Sequence, residues 1–301
     1  MIPGLGSRRI RAVGAPPSVV TPFYETNFSG STVGTNNAAI EAIPNVFSWD
    51  GGPARIQNYD PADVALSTDP LPVGYDFMSV PENFLNFQYS ITANDSWDEQ
   101  RFALPAAIRS GTMAFEYDWL VPSNWNASSV TAGSNQHKIF ALWRDSYTVT
   151  PGRVLVLLEA WREDAFETAT KARLRVVGTG SSQNFSGTYG LYSNFINRDN
   201  SAVIRPGVRC QLRVLVSMST SKFSNDGVFK VWIDGTLVWS LETMPLWSQE
   251  DPSPSAADMT WTNGYLMGYK NGAYLPTPSG NERVCFGITN FKAYNTDSGW
   301  V

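Results

Sequence analysis

The dipeptide Asp234-Gly235 limits most strongly what this chain can fold into. It interrupts the stretch from Asn225 to Ser240, NDGVFKVWIDGTLVWS, between two runs rich in β-branched and aromatic residues. A two-residue type I′ turn needs φ > 0 at both central positions. Asp tolerates this and Gly adopts it freely, so the sequence predicts a tight hairpin of fixed register. Ile233 then faces Thr236, Trp232 faces Leu237, Val231 faces Val238 and Lys230 faces Trp239. Directly opposed residues share a face, and successive residues alternate. One face is expected to carry Phe229, Val231, Ile233, Thr236 and Val238, which suits a sandwich core. The other carries Lys230, Trp232, Leu237 and Trp239, two indoles beside an ammonium.

The same period-2 pattern recurs along the chain. It predicts strands over 23–28, 97–104, 112–121, 137–143, 153–161, 172–177, 208–218, 264–269 and 284–294. In 112–121 the residues Met113, Phe115, Tyr117, Trp119 and Val121 line one face, with Glu116 and Asp118 on the other. Val208, Cys210, Leu212, Val214 and Val216 are expected inward, with Arg209, Gln211 and Arg213 outward. Leu174 and Val176 oppose Arg173 and Arg175. The run 153–161 is apolar on both faces. About a dozen strands without a long helical pattern predict an all-β fold, an antiparallel two-sheet jelly-roll sandwich. Aromatic residues at 13%, with 24 Gly and 19 Pro, fit many short strands joined by turns.

The 301 residues, 43% hydrophobic and 16% charged, can bury one large core. Residues 22–301 are expected to form a single domain, with an irregular excursion at about 30–80 that has too little apolar periodicity for a core of its own. Within it, Asn37 and Asp60-Pro61 are candidate starts for brief helical turns. Residues 1–21 read as an irregular N-terminal arm. Gly, Pro and three arginines (Arg8, Arg9 and Arg11) leave it no periodic apolar face, so a neighbouring molecule is the expected site of its ordering. The net charge of −5 argues against nucleic acid as a partner. No run approaches roughly 18 apolar residues, so no membrane-spanning helix is expected. The N-terminus lacks the apolar segment of a secretory signal. Cys210 and Cys285 are read as buried thiols rather than a disulfide framework.

The segments WDEQRFAL (97–104), MAFEYDWLVPSNW (113–125), HKIFALW (137–143), GVFKVWIDGTLVW (227–239), GYLMGYKNGAY (264–274) and VCFGITNFKAY (284–294) resemble, in that order, concanavalin-A-like lectin/glucanase jelly rolls. They are most similar to the polysaccharide-lyase-like members, some of which are found in bacteriophage virion proteins. The resemblance spans roughly residues 22–295. It implies a two-sheet jelly roll whose concave outer face is the usual sugar site, and it leaves function open among lectins, hydrolases, lyases and scaffolds.

Three chemistries have partial residue sets in this sequence. A glycan groove would use the outward set Trp232, Trp239, Lys230, Arg209, Gln211, Arg213, Arg173 and Arg175. Indoles stack on sugar rings and guanidinium forks pair with carboxylates. The alternative is that the excursion covers the tryptophans and the arginines form a solvated face. A retaining hydrolase of this resemblance needs Glu-x-Asp-x-(x)-Glu, with carboxyl groups about 5–5.5 Å apart. Glu116 and Asp118 lack the third member, since Leu120 and Val121 follow, and they are read as solvated carboxylates. A lyase of this resemblance carries Gln-x-His and Tyr-x-Lys-x-Gly-x-Tyr. Here Gln136 and His137 are adjacent, and Gly268 stands where the first Tyr before Lys270, Gly272 and Tyr274 is needed.

No catalytic residue and no Cys/His metal cluster is therefore expected, and no cofactor; a structural calcium in a loop such as Asn197–Asn200 stays open. The expected role is a non-enzymatic, structural or glycan-binding bacteriophage virion component: a decoration, fibre or tail-associated protein assembled in the host cytoplasm. Its expected partners are other virion proteins or its own copies through the arm, and cell-surface or acidic polysaccharide, with no nucleic acid and no membrane. The alternative is a polysaccharide lyase acting on an acidic glycan.

Overall fold

The computed structural model describes residues 20–28, 48–50, 55–58, 83–90, 95–96, 99–121, 136–144, 155–161, 171–177, 207–221, 224, 226–244, 246, 259–268, 270–271, 283–297 and 299. Arg8, Arg9, Arg11, the helical turns near Asn37 and Asp60, the loop at 197–200, Tyr269, Gly272 and Tyr274 lie outside them. The strands are β1 (Tyr24–Thr26), β2 (Ser48–Asp50), β3 (Arg55–Asn58), β4 (Asn83–Ser90), β5 (Asp95–Ser96), β6 (Gln100–Ala103), β7 (Thr112–Leu120) and β8 (Gln136–Trp143). They continue as β9 (Leu155–Trp161), β10 (Lys171–Val177), β11 (Arg209–Ser217), β12 (Gly227–Ile233), β13 (Thr236–Met244), β14 (Asn263–Leu266), β15 (Lys270–Asn271) and β16 (Arg283–Tyr294). A 3-10 turn at Ala106–Ile108 joins β6 to β7. Among the described residues no helix is long and apolar enough to cross a membrane.

Among the described residues these strands form two eight-stranded sheets. The first runs β13-β12-β11-β7-β16-β4-β3, with β1 added to β16. The second runs β10-β9-β8-β14-β6-β2, with β15 joining β5 and β8. The described ladders are antiparallel, as the alternation predicts. The excursion is not wholly irregular, because β2 extends the second sheet and β3 extends the first.

The two inner faces pack as a sandwich. Met113, Phe115, Tyr117, Trp119 and Val121 are all buried, as the alternation of β7 requires. Phe115 bridges the sheets, its ring centroid 5.7 Å from that of Phe102 on β6 and 5.0 Å from that of Phe140 on β8. Gly264 is required at one close approach, where a Cβ would stand 2.3 Å from the Phe102 ring. Cys210 is a buried free thiol, and burial pushes its pKa well up. Val208 is a correction: it is 43% exposed rather than inward, because pairing starts only at Arg209.

The turn is as the dipeptide demands, with φ of 49° at Asp234 and 76° at Gly235. Gln211 on the neighbouring strand secures it. Its N–H donates to Asp234 Oδ1 at 2.8 Å, and the Asp234 N–H donates to the Gln211 carbonyl at 2.9 Å. Ile233 pairs with Thr236 and Trp232 with Leu237, as expected. The next pair is Val231 with Trp239, not Val238. Val238 is the extra residue of a β-bulge, which moves Trp239 onto the core side. Its indole is 4% exposed and meets Phe229 edge-on at 6.0 Å. Burying an indole is worth more than the regular ladder position it leaves.

Candidate functional site

The outer face of the first sheet carries a row of charges set by register. Glu25 on β1 pairs with Lys292 on β16, Lys292 with Glu116 on β7, Glu116 with Arg213 on β11, and Arg213 with Trp232 on β12. The signs alternate, so each neighbour is an attraction. Lys292 Nζ donates to Glu116 Oε1 at 3.0 Å, and Arg213 Nε donates to Glu116 Oε2 at 2.7 Å. Glu116 is therefore not a solvated carboxylate. Its side chain is 7% exposed and both oxygens are engaged. The hydrogen bond to Glu116 raises the pKa of Lys292. Burial, and next the charge of Glu116, raise that of the Tyr294 phenol.

One register step along, Asp118 receives the Arg209 guanidinium and the Asn290 amide on the same oxygen, Oδ2, the latter at 2.7 Å. Asn290 is in place because β16 bulges there. Thr289 pairs with Asp118, but the next pair is Lys292 with Glu116. Asn290 takes φ of 50°, a left-handed conformation that Asn accepts more readily than most residues. The bulge lets Phe291 turn inward while Asn290 and Lys292 address the two carboxylates. Bulges of this kind re-aim side chains.

Beside this row lies a groove of about 430 Å³ lined by Glu25, Thr26, Asn27, Glu116, Asp118, Gln211, Asn290, Phe291 and Lys292. Among the described residues, Asp118 Oδ1, Asn290 Oδ1, the Gln211 side-chain amide and the Glu25 carboxylate carry no hydrogen bond, and Lys292 has donors left over.

The eight residues expected in one glycan groove are divided. Trp239 faces the core. Trp232 faces outward but is 2% exposed, in a cluster with Ala114, Leu215 and Tyr294 on which Val20 packs. Val20, assigned to the arm by its sequence, thus packs on the sheet. Arg209 and Arg213 spend their guanidinium groups on Asp118 and Glu116. Lys230 pairs with Glu242 at 2.6 Å. Arg173 and Arg175 belong to β10 in the other sheet, with their side chains outside the description. Of the expected set only Gln211 lines the groove.

The local sequence pattern around Glu25, Asn290 and Lys292 does not place them at one site. A signal for the bulge was present: Phe286 and Ile288 set one parity along β16, and Phe291 and Ala293 continue on the other. Of the lyase-like positions, His137 pairs in register with Lys270 and Gln136 with Asn271 in the second sheet. Positions 136 and 137 pair with the consecutive residues Trp161 and Ala160, so the pleat puts them on opposite faces. Among the described residues no cluster of three or more His, Cys, Asp or Glu side chains could hold a metal ion.

No protein-family model and no curated protein matches the chain. Solved structures do. An alginate lyase, vAL-1, from a Chlorella virus aligns over 91% of this chain and 99% of its own at 14% identity, with a TM-score of 0.54. The chain has the two-sheet jelly-roll fold. The alginate lyase Aly36B in complex with an alginate tetrasaccharide aligns over 70% of this chain and 80% of its own (15% identity, TM-score 0.49). The carbohydrate recognition domain of Emp46p aligns over 90% and 96% (11% identity, TM-score 0.40).

Proposed function

We propose that this jelly roll binds glycan without cleaving it, in the groove between β1, β16, β7 and β11. The observation that carries this is the set of unengaged hydrogen-bonding groups lining it: Asp118 Oδ1, Asn290 Oδ1, both ends of the Gln211 amide and the spare donors of Lys292. A sugar hydroxyl both donates and accepts, and such a mixed lining matches it. The volume falls within the roughly 300–1,000 Å³ of small-molecule sites. Glu116, with both oxygens held by cations, is a counter-ion in this reading rather than a base. The test is titration of glycan oligomers. Gln211→Ala should weaken binding about tenfold with the melting temperature unchanged, the scale of one or two lost hydrogen bonds.

The reading extends to a bacteriophage virion component that docks on other virion proteins or on its own copies through its basic arm. What supports it is the arm's composition, with Arg8, Arg9 and Arg11 among Gly and Pro and no apolar face of its own. Because Val20 packs on the sheet, the arm to delete is residues 2–19. The truncated protein should melt as the full chain does and fail to enter particles; a markedly lower melting temperature would assign the arm to the domain's own core.

A second reading, a lyase on an acidic glycan, is favoured by one observation, the pairing of His137 with Lys270. Incubation with alginate or glucuronan decides it. Absorbance growing near about 235 nm, the signature of an unsaturated elimination product, and lost in His137→Ala would establish the lyase.

A further inference from the structure

The charges around the groove narrow its ligand. We infer that it takes an uncharged, hydroxyl-rich glycan and discriminates against uronates, an inference that rests on the glycan-binding reading above. Three carboxylates line the groove, those of Glu25, Glu116 and Asp118, against the single ammonium of Lys292. The arginines that balance this charge are spent: Arg213 is bonded to Glu116 and Arg209 to Asp118, and neither lines the groove.

Lys292 is flanked in register by Glu25 and Glu116 and already donates to Glu116. A uronate carboxylate entering here would compete for that one cation while lying against like charges, which disfavours binding. The free groups are mainly acceptors: the Glu25 carboxylate, Asp118 Oδ1, Asn290 Oδ1 and the Gln211 oxygen. They call for a ligand rich in donors. Hydroxyl groups supply donors at every ring position, and carboxylates supply none when ionised.

The experiment titrates the full chain with two sets of hexasaccharides at about 0.15 M salt, where surface charge is partly screened. One set is neutral, made of glucose, galactose and mannose oligomers. The other is acidic, made of mannuronate, glucuronate and galacturonate oligomers. At least one neutral hexamer should bind about tenfold or more tightly than every acidic one, with Gln211→Ala weakening it. Glu25→Gln, which removes one of the three carboxylates lining the groove, should raise uronate affinity several-fold relative to the affinity for the best neutral hexamer. A uronate hexamer that binds more tightly than every neutral one, and is weakened by Gln211→Ala, overturns the inference and keeps the groove. A glucosamine hexamer that outbinds the neutral set overturns it too. No binding by any hexamer, or neutral binding indifferent to Gln211→Ala, overturns the reading of the groove itself.

Discussion

The two sheets turn unlike outer faces away from their shared core. On the first, the centre of the outer face is a row of charges, Glu25, Lys292, Glu116 and Arg213, paired across four strands. On the second, the corresponding region is apolar. Ala141, Trp143, Leu155, Leu157 and Tyr265 form a buried cluster on the side opposite Phe140 and Leu142, with the Trp143 and Tyr265 rings 5.8 Å apart. Both faces exclude water from large side chains. One does so by dispersion and area, the other by matching each buried charge with a partner. The apolar face should therefore lose stability in proportion to the volume removed. The ionic face should lose it only when a charge is left alone.

Substitution at Trp143 tests the apolar side and should have the largest effect. Trp143→Ala should cost about 3–4 kcal/mol in urea unfolding, through lost burial and the cavity left behind. Glu116→Ala should cost about 2–3 kcal/mol, since it strands the two half-buried cations Arg213 and Lys292. The sharper test is to remove all three charges together. Glu116→Leu with Lys292→Leu and Arg213→Met should recover to within about 1 kcal/mol of the parent, because like-sized apolar groups can replace a buried ionic cluster. If the triple variant is as unstable as Glu116→Ala, the contrast between the two faces is wrong.

Gly235→Val tests the turn on which the first sheet's edge depends. It should cost about 1–2 kcal/mol, since a β-branched residue resists a φ of 76°. A smaller effect is expected from alkali. The pKa values of Lys292 and Tyr294 are raised in the folded state, the first by its hydrogen bond to Glu116 and the second by burial. Groups shifted upward contribute stability that is complete below their unfolded values, about 10 for both, and is lost as pH rises through the folded ones. The urea midpoint should hold near pH 8 and fall above about pH 10, less steeply in Tyr294→Phe. A flat profile would remove the ionic row from the account. The smallest effect belongs to the exposed pair of Lys230 and Glu242 at the sheet's edge: Glu242→Ala should leave the midpoint unchanged, as exposed ion pairs contribute little.

The alternation in β7 was enough to separate Phe115, Tyr117 and Trp119 from Glu116 and Asp118, because period-2 geometry is a property of the strand alone. It could not tell that Glu116 is buried. That depends on Arg213 and Lys292, which lie 97 and 176 residues away in sequence. The groove shows the same limit. Alternation in β11 puts Gln211 outward, but the groove wall of Glu25, Asn290 and Lys292 forms only when β1 is added to β16.

What the sequence by itself determined is local: the two-residue turn at Asp234-Gly235, the apolar side of a regular strand such as β7, and hence the all-β sandwich. These follow from φ/ψ sterics and side-chain alternation over a few neighbouring residues. The tertiary structure decided which strands are neighbours, and so put Arg173 and Arg175 on one sheet and Arg209 and Arg213 on the other. It also decided where a ladder bulges. The bulge at Val238 turns Trp239 into the core, and the bulge at Asn290 aims that residue at Asp118. A bulge costs little backbone energy, so the packing of the side chains on either side of it, contributed by distant segments, chooses whether it forms.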